Sequence, residues 1–228
     1  MSDGVAFSHG SKGRLTTYDV GRFPSETLFD RLARAVCQAG CLPRKELYEA
    51  WELARRARRL FRGGRVVDLA CGHGLLAHVM LLLDDSSASA MAVDVTVPPS
   101  AQKIQDAIVT AWPRLASRVS FEERPVDAVA LTVDDVVVSS HACGSLTDHI
   151  LHRATRARAR VAVLPCCHDL EASDTGGLTG WVDGPLAVDV VRATWLRAQG
   201  YQVWTQTIPA DVSPKNRLLL GEPAEREP

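Results

Sequence analysis

No run of apolar residues in this 228-residue chain approaches the ~20 needed to cross a bilayer, and Met1-Ser2-Asp3-Gly4 lacks a basic start followed by an apolar stretch. A membrane partner is therefore not expected, and a cytoplasmic setting is the default reading. Net charge is also scarce: 26 basic against 27 acidic side chains leave a formal charge of −1, so no global field draws the chain to nucleic acid. Any such affinity must come from a local patch. Cysteine is too sparse for a disulfide framework, with six in 228 residues, and a chain of this length can bury its own core without staples. Reduced thiols are expected. Internal repeats and low-complexity tracts are missing as well, which excludes solenoids and linkers. What remains is globular composition, 46% hydrophobic and 23% charged, sized for one domain with a small appendage.

Residues 1–22 show no apolar period and read as a flexible or loosely docked lead-in. From Ser25, a plausible N-cap, Leu28, Phe29, Leu32, Ala33, Val36 and Cys37 recur at helical spacing up to Gly40. A second helix is predicted from Arg44 to Phe61, closed by Gly63-Gly64. These two helices make residues 23–63 an N-terminal helical extension, leaving 64–228 as the main domain. There, short β-branched runs at 65–70, 90–95, 119–122, 136–140 and 161–164 alternate with helical segments near 74–83, 100–112, 146–157 and 186–199. That alternation predicts an α/β fold whose parallel sheet is covered by helices on both faces. Two further strands at 201–208 and 217–221 are joined by too few residues for a helical crossover, so they should be antiparallel.

The first of these strands runs Val66-Val67-Asp68-Leu69 into Ala70-Cys71-Gly72-His73-Gly74 and then a helix. A glycine-rich corner at the carboxyl end of a first strand is where doubly wound folds bind ligands: glycines let the backbone approach, and the next helix offers free N–H groups. A tight structural turn is the alternative. The second strand ends at Asp94-Val95, placing a carboxylate about twenty residues after the glycines, where a ribose needs its hydroxyls accepted. A solvated strand-end carboxylate is the alternative there. The third glycine of the dinucleotide spacing is absent, as is Gly-Lys-Ser/Thr, which lowers the nicotinamide and P-loop readings.

Asp68-Leu69-Ala70-Cys71-Gly72-His73-Gly74 resembles motif I of the class I S-adenosylmethionine (SAM)-dependent methyltransferases, written Asp/Glu-x-x-x-Gly-x-Gly. The resemblance implies a Rossmann-like methyltransferase fold, a mostly parallel seven-stranded sheet with an antiparallel final pair. It implies SAM as cofactor, with Ala70, Cys71, Gly72 and Gly74 cradling its methionine end and Asp68 accepting from the loop or the amino group. Asp94 and Val95 then serve the ribose end. Asp127-Ala128 resembles the acidic-Ala segment that contacts adenine, although nearby Asp134 and Asp135 show that carboxylates are common in this stretch.

The fourth strand runs into Ser139-Ser140-His141-Ala142-Cys143-Gly144 and the fifth into Pro165-Cys166-Cys167-His168-Asp169. As sheet neighbours, both ends should meet at one mouth. Methyl transfer is an in-line displacement that needs positioning and at most one base, so His141 and His168 are the candidate catalytic bases. Structural hydrogen bonding is the alternative for each. Cys143, Asp148, Cys166 and Cys167 are the candidate substrate contacts; packing as small hydrophobes is open for the cysteines, and a helix-dipole role for Asp148. The soft ligands could hold zinc, but the spacing is no ribbon or finger pattern and no metal is assigned. The paired loops, with Ser213-Pro214-Lys215-Asn216-Arg217, resemble the methyltransferase-like protein 25 group and, more distantly, the tRNA acceptor-stem 2′-O-methyltransferases. Those tRNA enzymes are expected to carry Lys before the loop His, where this chain has Ser140, so their 2′-hydroxyl chemistry is not carried over.

The acceptor is left open between RNA, protein and a small molecule. Arg55, Arg56, Arg58, Arg59, Arg62 and Arg65, with Arg153, Arg156, Arg158 and Arg160, are the candidate phosphate-binding face; complementing the helix macrodipole explains the first group equally well. Trp51, Trp181, Trp195 and Trp204 read as core, although Trp181 sits in a glycine-rich loop, 175–184, that could form part of a lid. The competing functions are a nicotinamide-dependent oxidoreductase and a degenerate methyltransferase fold used as a binding subunit.

Overall fold

A computed structural model describes residues 7–165 and 167–224. Among them the order is α1 (Leu28–Ala39), α2 (Arg44–Leu60), β1 (Val66–Leu69), α3 (Leu75–Leu83), β2 (Ala90–Asp94), α4 (Ala101–Ala111), β3 (Val119–Glu123) and β4 (Val136–Ser139). It continues with α5 (Ser145–Ala157), β5 (Arg160–Val163), α6 (Gly184–Ala198), β6 (Tyr201–Thr207) and β7 (Arg217–Pro223). The seven strands form one sheet in the order β3-β2-β1-β4-β5-β7-β6. The first five are parallel, and β7 runs antiparallel to both β5 and β6, as the short connection requires. The chain winds outward from β1 in one direction through β2 and β3, then returns to β4 and winds the other way. That reversal opens a crevice at the carboxyl ends of β1 and β4.

The β-branched runs form strands because both faces of the sheet are covered. Val66, Ala90, Ala92, Val136 and Val138 pack into a core shared with α1 to α4, while Val67, Val93, Val137, Val161 and Val163 face α5 and α6. Each fully buried aliphatic side chain contributes about 1.5–3 kcal/mol. α3 is apolar around its whole circumference, and residues 75–82 are all buried. Among the described residues no helix is long and apolar enough to cross a membrane.

The N-terminal region differs from expectation in two places. From Phe7 onward the lead-in is docked: Arg14 bridges Pro43, Leu15 N–H donates to Leu42 O at 2.9 Å, and the Leu15 side chain is fully buried. The cap of α1 is Thr27, whose hydroxyl accepts from Asp30 N–H, and not Ser25, whose hydroxyl bonds that of Thr27. Gly40 closes α1 in the left-handed conformation, as its position indicates.

The arginine cluster gathers at the amino ends of the parallel strands. Arg65 holds Asp135 through two bonds of 2.9 and 2.8 Å, and Arg160 donates to Arg62 O and Asp134 O. Arg58 is buried, paired with Asp84 at 3.2 Å and donating to Met80 O, Phe61 O and Ser87 Oγ; burial draws its guanidinium down to about 10. Arg55 and Arg56 pair with Glu52, and Arg153 donates to Asp127 O and Val129 O. These side chains tie carbonyls and carboxylates together, most of them at the end of the sheet opposite the crevice.

Candidate active site

The glycine corner forms where β1 stops. Ala70, Gly72 and Gly74 take φ of +58, +52 and +69, so the chain reverses its curvature repeatedly within five residues before α3 begins. Gly74 is required twice over. It stands in the left-handed region, and a Cβ there would lie 2.4 Å from Cε1 of Phe121 on β3. Cys71 anchors the loop to the sheet through its N–H to Val93 O at 3.0 Å, and burial pushes its thiol up from the ordinary range.

Asp68 points beneath this loop. It is 1% exposed, and its Oδ2 accepts the N–H of Ala77, in the first turn of α3, at 3.2 Å. Burial pushes its carboxyl up to about 8, against the lowering effect of that bond. Asp68 therefore caps α3 and sets where the helix starts. Beside it, His78 is fully buried and donates from Nδ1 to Gly74 O at 2.8 Å, and burial draws the imidazole down to about 4. The periodicity marked residue 78 only as helix; its spacing four residues after Gly74 on an apolar helix is the signal for this bond.

Asp94, half-buried at the end of β2, accepts from Gly72 N–H at 2.9 Å and from Val95 N–H at 2.8 Å. It thus bridges the second strand to the glycine loop. The outer face of the loop is open: a Cβ built on Gly72 meets only Cδ2 of His141, at 3.9 Å. Val95 beyond it is 68% exposed, an apolar surface at a strand end. A carboxylate with lone pairs to spare, an unobstructed backbone and an adjacent apolar face fit a ribose, an amino-acid end and an adenine respectively. Asp127 and Ala128 lie in an exposed 3-10 turn, Val126–Ala128, after β3.

The ends of β4 and β5 do meet. Gly144, whose φ of +58 and ψ of −131 few residues but glycine adopt, donates its N–H to Cys167 O at 3.0 Å. His141 lies half-buried against Gly72, and Cys143 is exposed on the same loop. Cys166 lies outside the described residues. Asp148 does not act through the helix dipole alone: Arg192 on α6 grips it through two bonds of 2.7 and 2.8 Å and donates also to Gly144 O. His168, its side chain 3% exposed, donates from Nε2 to Asp189 of α6 at 2.8 Å, and Asp189 also accepts from Arg217 Nε at 2.7 Å. Burial alone would raise Asp189, but the His168 and Arg217 hydrogen bonds hold its carboxyl below the ordinary range.

Asp189, Arg192 and Arg217 are the residues that sequence reasoning missed in these roles. Asp189 and Arg192 sit three apart on α6, so both face one side of it, and Arg217 opens the antiparallel strand beside β5. Trp51, Trp195 and Trp204 are partly buried, but Trp181, expected in the core, is 89% exposed, so its glycine-rich loop carries the ring at the surface.

A family model described as methyltransferase domain matches residues 46–173, more than half of the chain. No curated protein matches the sequence. Among solved structures, the chain is similar to an O-methyltransferase family protein from Burkholderia thailandensis, with 17% identity over 95% of this chain and 66% of that one and a TM-score of 0.51. It is also similar to the B. subtilis M1A22 tRNA methyltransferase TrmK, with 16% identity over 76% of this chain and 65% of that one and a TM-score of 0.51. The S-adenosylmethionine-dependent methyltransferase SibL gives 19% identity over 93% of this chain and 67% of that one, with a TM-score of 0.52. At these identities the likeness establishes the fold, and the chain spans about two thirds of the length of each.

Proposed function

Because the chain belongs to the methyltransferase-domain family, we propose that it transfers a methyl group from SAM, held at the Gly72–Asp94 corner, to an acceptor entering at the joined ends of β4 and β5. The observation that carries this reading is the bond from Gly72 N–H to Asp94, which holds the loop open-faced beside a carboxylate and the exposed Val95. Asp94 and Val95 receive the ribose and the adenine edge, and the backbone of residues 70–74 receives the methionine end. Asp68 shapes this cradle from below by capping α3. The family match decides against the nicotinamide alternative.

Bound SAM supplies an already activated methyl group, so the chain's residues need only orient the acceptor, exclude water and take a proton where the acceptor carries one. His168 is the better-oriented candidate base. Its Nε2–H is committed to Asp189, which fixes the ring's orientation and leaves Nδ1 as the nitrogen to take a proton. His141 lies closer to the glycine loop and is the second candidate; transfer that survives His141→Ala unaltered removes it. Cys143 and Cys167 line the same loops. The likeness of these paired loops to the methyltransferase-like protein 25 group supports a common acceptor chemistry with that group. RNA, protein and small-molecule acceptors are separated by incubating labelled SAM with cell extract and splitting the products with RNase and protease.

Calorimetry with S-adenosylhomocysteine tests the donor site directly. Asp94→Ala removes two charge-assisted contacts to the ribose, worth about 1.5–3 kcal/mol each, and should weaken binding by about 100-fold or more. Absence of binding to the unaltered protein, or equal binding by Asp94→Ala, overturns the reading. Binding without label transfer to any pool reduces the role to that of a binding subunit.

A further inference from the structure

The cations that compositional clustering brings out lie mainly at the closed end of the sheet; the mouth carries a smaller set. Arg217 starts β7, and since Val163 pairs with Leu219 in antiparallel register, Arg217 stands beside the carboxyl end of β5. Together with His168, Lys215, Asp183 and Leu170 it lines a cavity of about 340 Å³.

The pairing of charges around this cavity is uneven. Asp189 is shared by His168, Arg217 and, at 3.5 Å, Arg192. Asp148 is taken by Arg192, and Asp183 caps α6 by accepting from Leu186 N–H at 2.9 Å. Lys215 Nζ stands 3.5 Å from Cys167 Sγ, and among the described residues no carboxylate lies within ion-pair distance of it. Arg217 is bonded through Nε, and its side chain is 30% exposed with Nη1 and Nη2 left as donors. An ammonium and a guanidinium edge therefore open onto one small pocket whose acids are already engaged. The pocket is also attached to the rest of the site: Cys167, next to Lys215, accepts from Gly144 on the loop that carries His141 to Gly72.

We infer that this pocket binds an oxyanion, phosphate or carboxylate, carried by the methyl acceptor, with Lys215 and the Nη edge of Arg217 as its donors. The inference rests on the proposed methyl transfer for the word acceptor, and on the pocket alone for the oxyanion. An anion there completes the unmatched charges, because a guanidinium edge offers two parallel donors and an ammonium a point charge. Leu170, 49% exposed on the rim, offers apolar surface to the remainder of such an acceptor. The acceptor is thereby anchored over β5 and β7 while the donor corner lies over β1 and β2, on the two sides of the strand-order reversal.

The test titrates the full chain, saturated with S-adenosylhomocysteine, with inorganic phosphate and separately with acetate, at constant ionic strength, and follows amide shifts by NMR. Expected is a saturable response at millimolar phosphate or acetate, confined to residues 167–170 and 213–217, with the stronger arm naming the group. Lys215→Ala should weaken it about tenfold or more, and Lys215→Arg should restore most of it. S-adenosylhomocysteine affinity measured on the same samples reports that the donor site is intact. If that ligand binds and neither anion gives a saturable response at these residues, or the response is equal in Lys215→Ala, the oxyanion site is wrong and the donor assignment stands. If S-adenosylhomocysteine fails to bind the unaltered protein, the proposed function itself falls.

Discussion

Replacing Asp68 by Asn should make the protein more stable at alkaline pH, by an amount the structure sets. The carboxyl is 1% exposed, accepts among the described residues only the Ala77 N–H, and has its pKa pushed up from 3.8 to about 8, chiefly by burial. A folded-state pKa above the unfolded one means the native state holds a proton that the unfolded state releases. Stability is therefore full below pH ~4 and declines as pH rises toward 8. At 1.36 kcal/mol per unit, the cost is about 2 kcal/mol at pH 5 and about 5 kcal/mol at pH 8. Asn keeps the acceptor for Ala77, replaces the carboxyl O–H by an amide N–H, and cannot ionise. Urea unfolding of both proteins at pH 5 and pH 8 isolates the effect, since every other titrating group cancels in the comparison. The difference between Asn and Asp should move in favour of Asn by about 3–4 kcal/mol between the two conditions, out of a total stability of about 5–15 kcal/mol. Parallel pH profiles for the two proteins would refute the reasoning, because they would mean that Asp68 is ionised in the native state.

Two further substitutions probe the frame around the corner. Arg58→Met leaves Ser87 Oγ and two buried carbonyls without their donor and takes one partner from Asp84, which keeps Gly63 N–H and Ser86; removing one partner of a buried pair costs about 3–5 kcal/mol. At roughly 2–4 °C per kcal/mol, the thermal midpoint should fall by roughly 6–20 °C; a fall of only a degree or two by calorimetry would mean that water replaces the guanidinium. Gly74→Ala drives a Cβ into the Phe121 ring and strains a φ of +69, so S-adenosylhomocysteine affinity should drop about tenfold or more. Adding Phe121→Leu should recover the steric part and leave about 1–2 kcal/mol of backbone strain; a double-mutant cycle showing no coupling would remove the ring contact as the cause.

What could be read ahead of the structure follows the range over which each interaction acts. The glycine corner was legible because its signal is local: Asp68, Gly72 and Gly74 lie within seven residues, and the strand and helix on either side have their own patterns. The sheet was legible for the same reason, with ends shifted by a residue or two. β7 runs on to Pro223 because Tyr201 to Thr207 pair with it along its whole length, a partner-imposed extension that Glu222 and Pro223 do not announce. Leu15 carries no period at all, yet it is fully buried, since backbone bonds from residues 11–15 to Leu42, Arg44 and Lys45, beside the bridge to Pro43, dock the segment around it.

The mouth was legible only in its loops. His141, Cys143, Cys167 and His168 stand at two strand ends that the alternation makes neighbours, but what orients His168 comes from Asp189, 21 residues later, and Asp189 is in turn held by Arg217 after another 28. Those separations are set by the inversion of β7 beside β5, which no local pattern encodes. The arginines illustrate the converse. A dense basic stretch in sequence reports charge, and charge does not say whether a guanidinium faces solvent or closes a ring of carbonyls. Arg58, Arg65 and Arg160 do the latter, whereas Lys215, isolated in sequence and unremarkable in composition, lines the pocket at the mouth with Arg217. The informative quantity for a charged side chain is the number of its donors still unmatched at a site. Around the mouth those donors are Lys215 Nζ and the Nη edge of Arg217, where β5, β7 and the end of the β6–β7 loop converge.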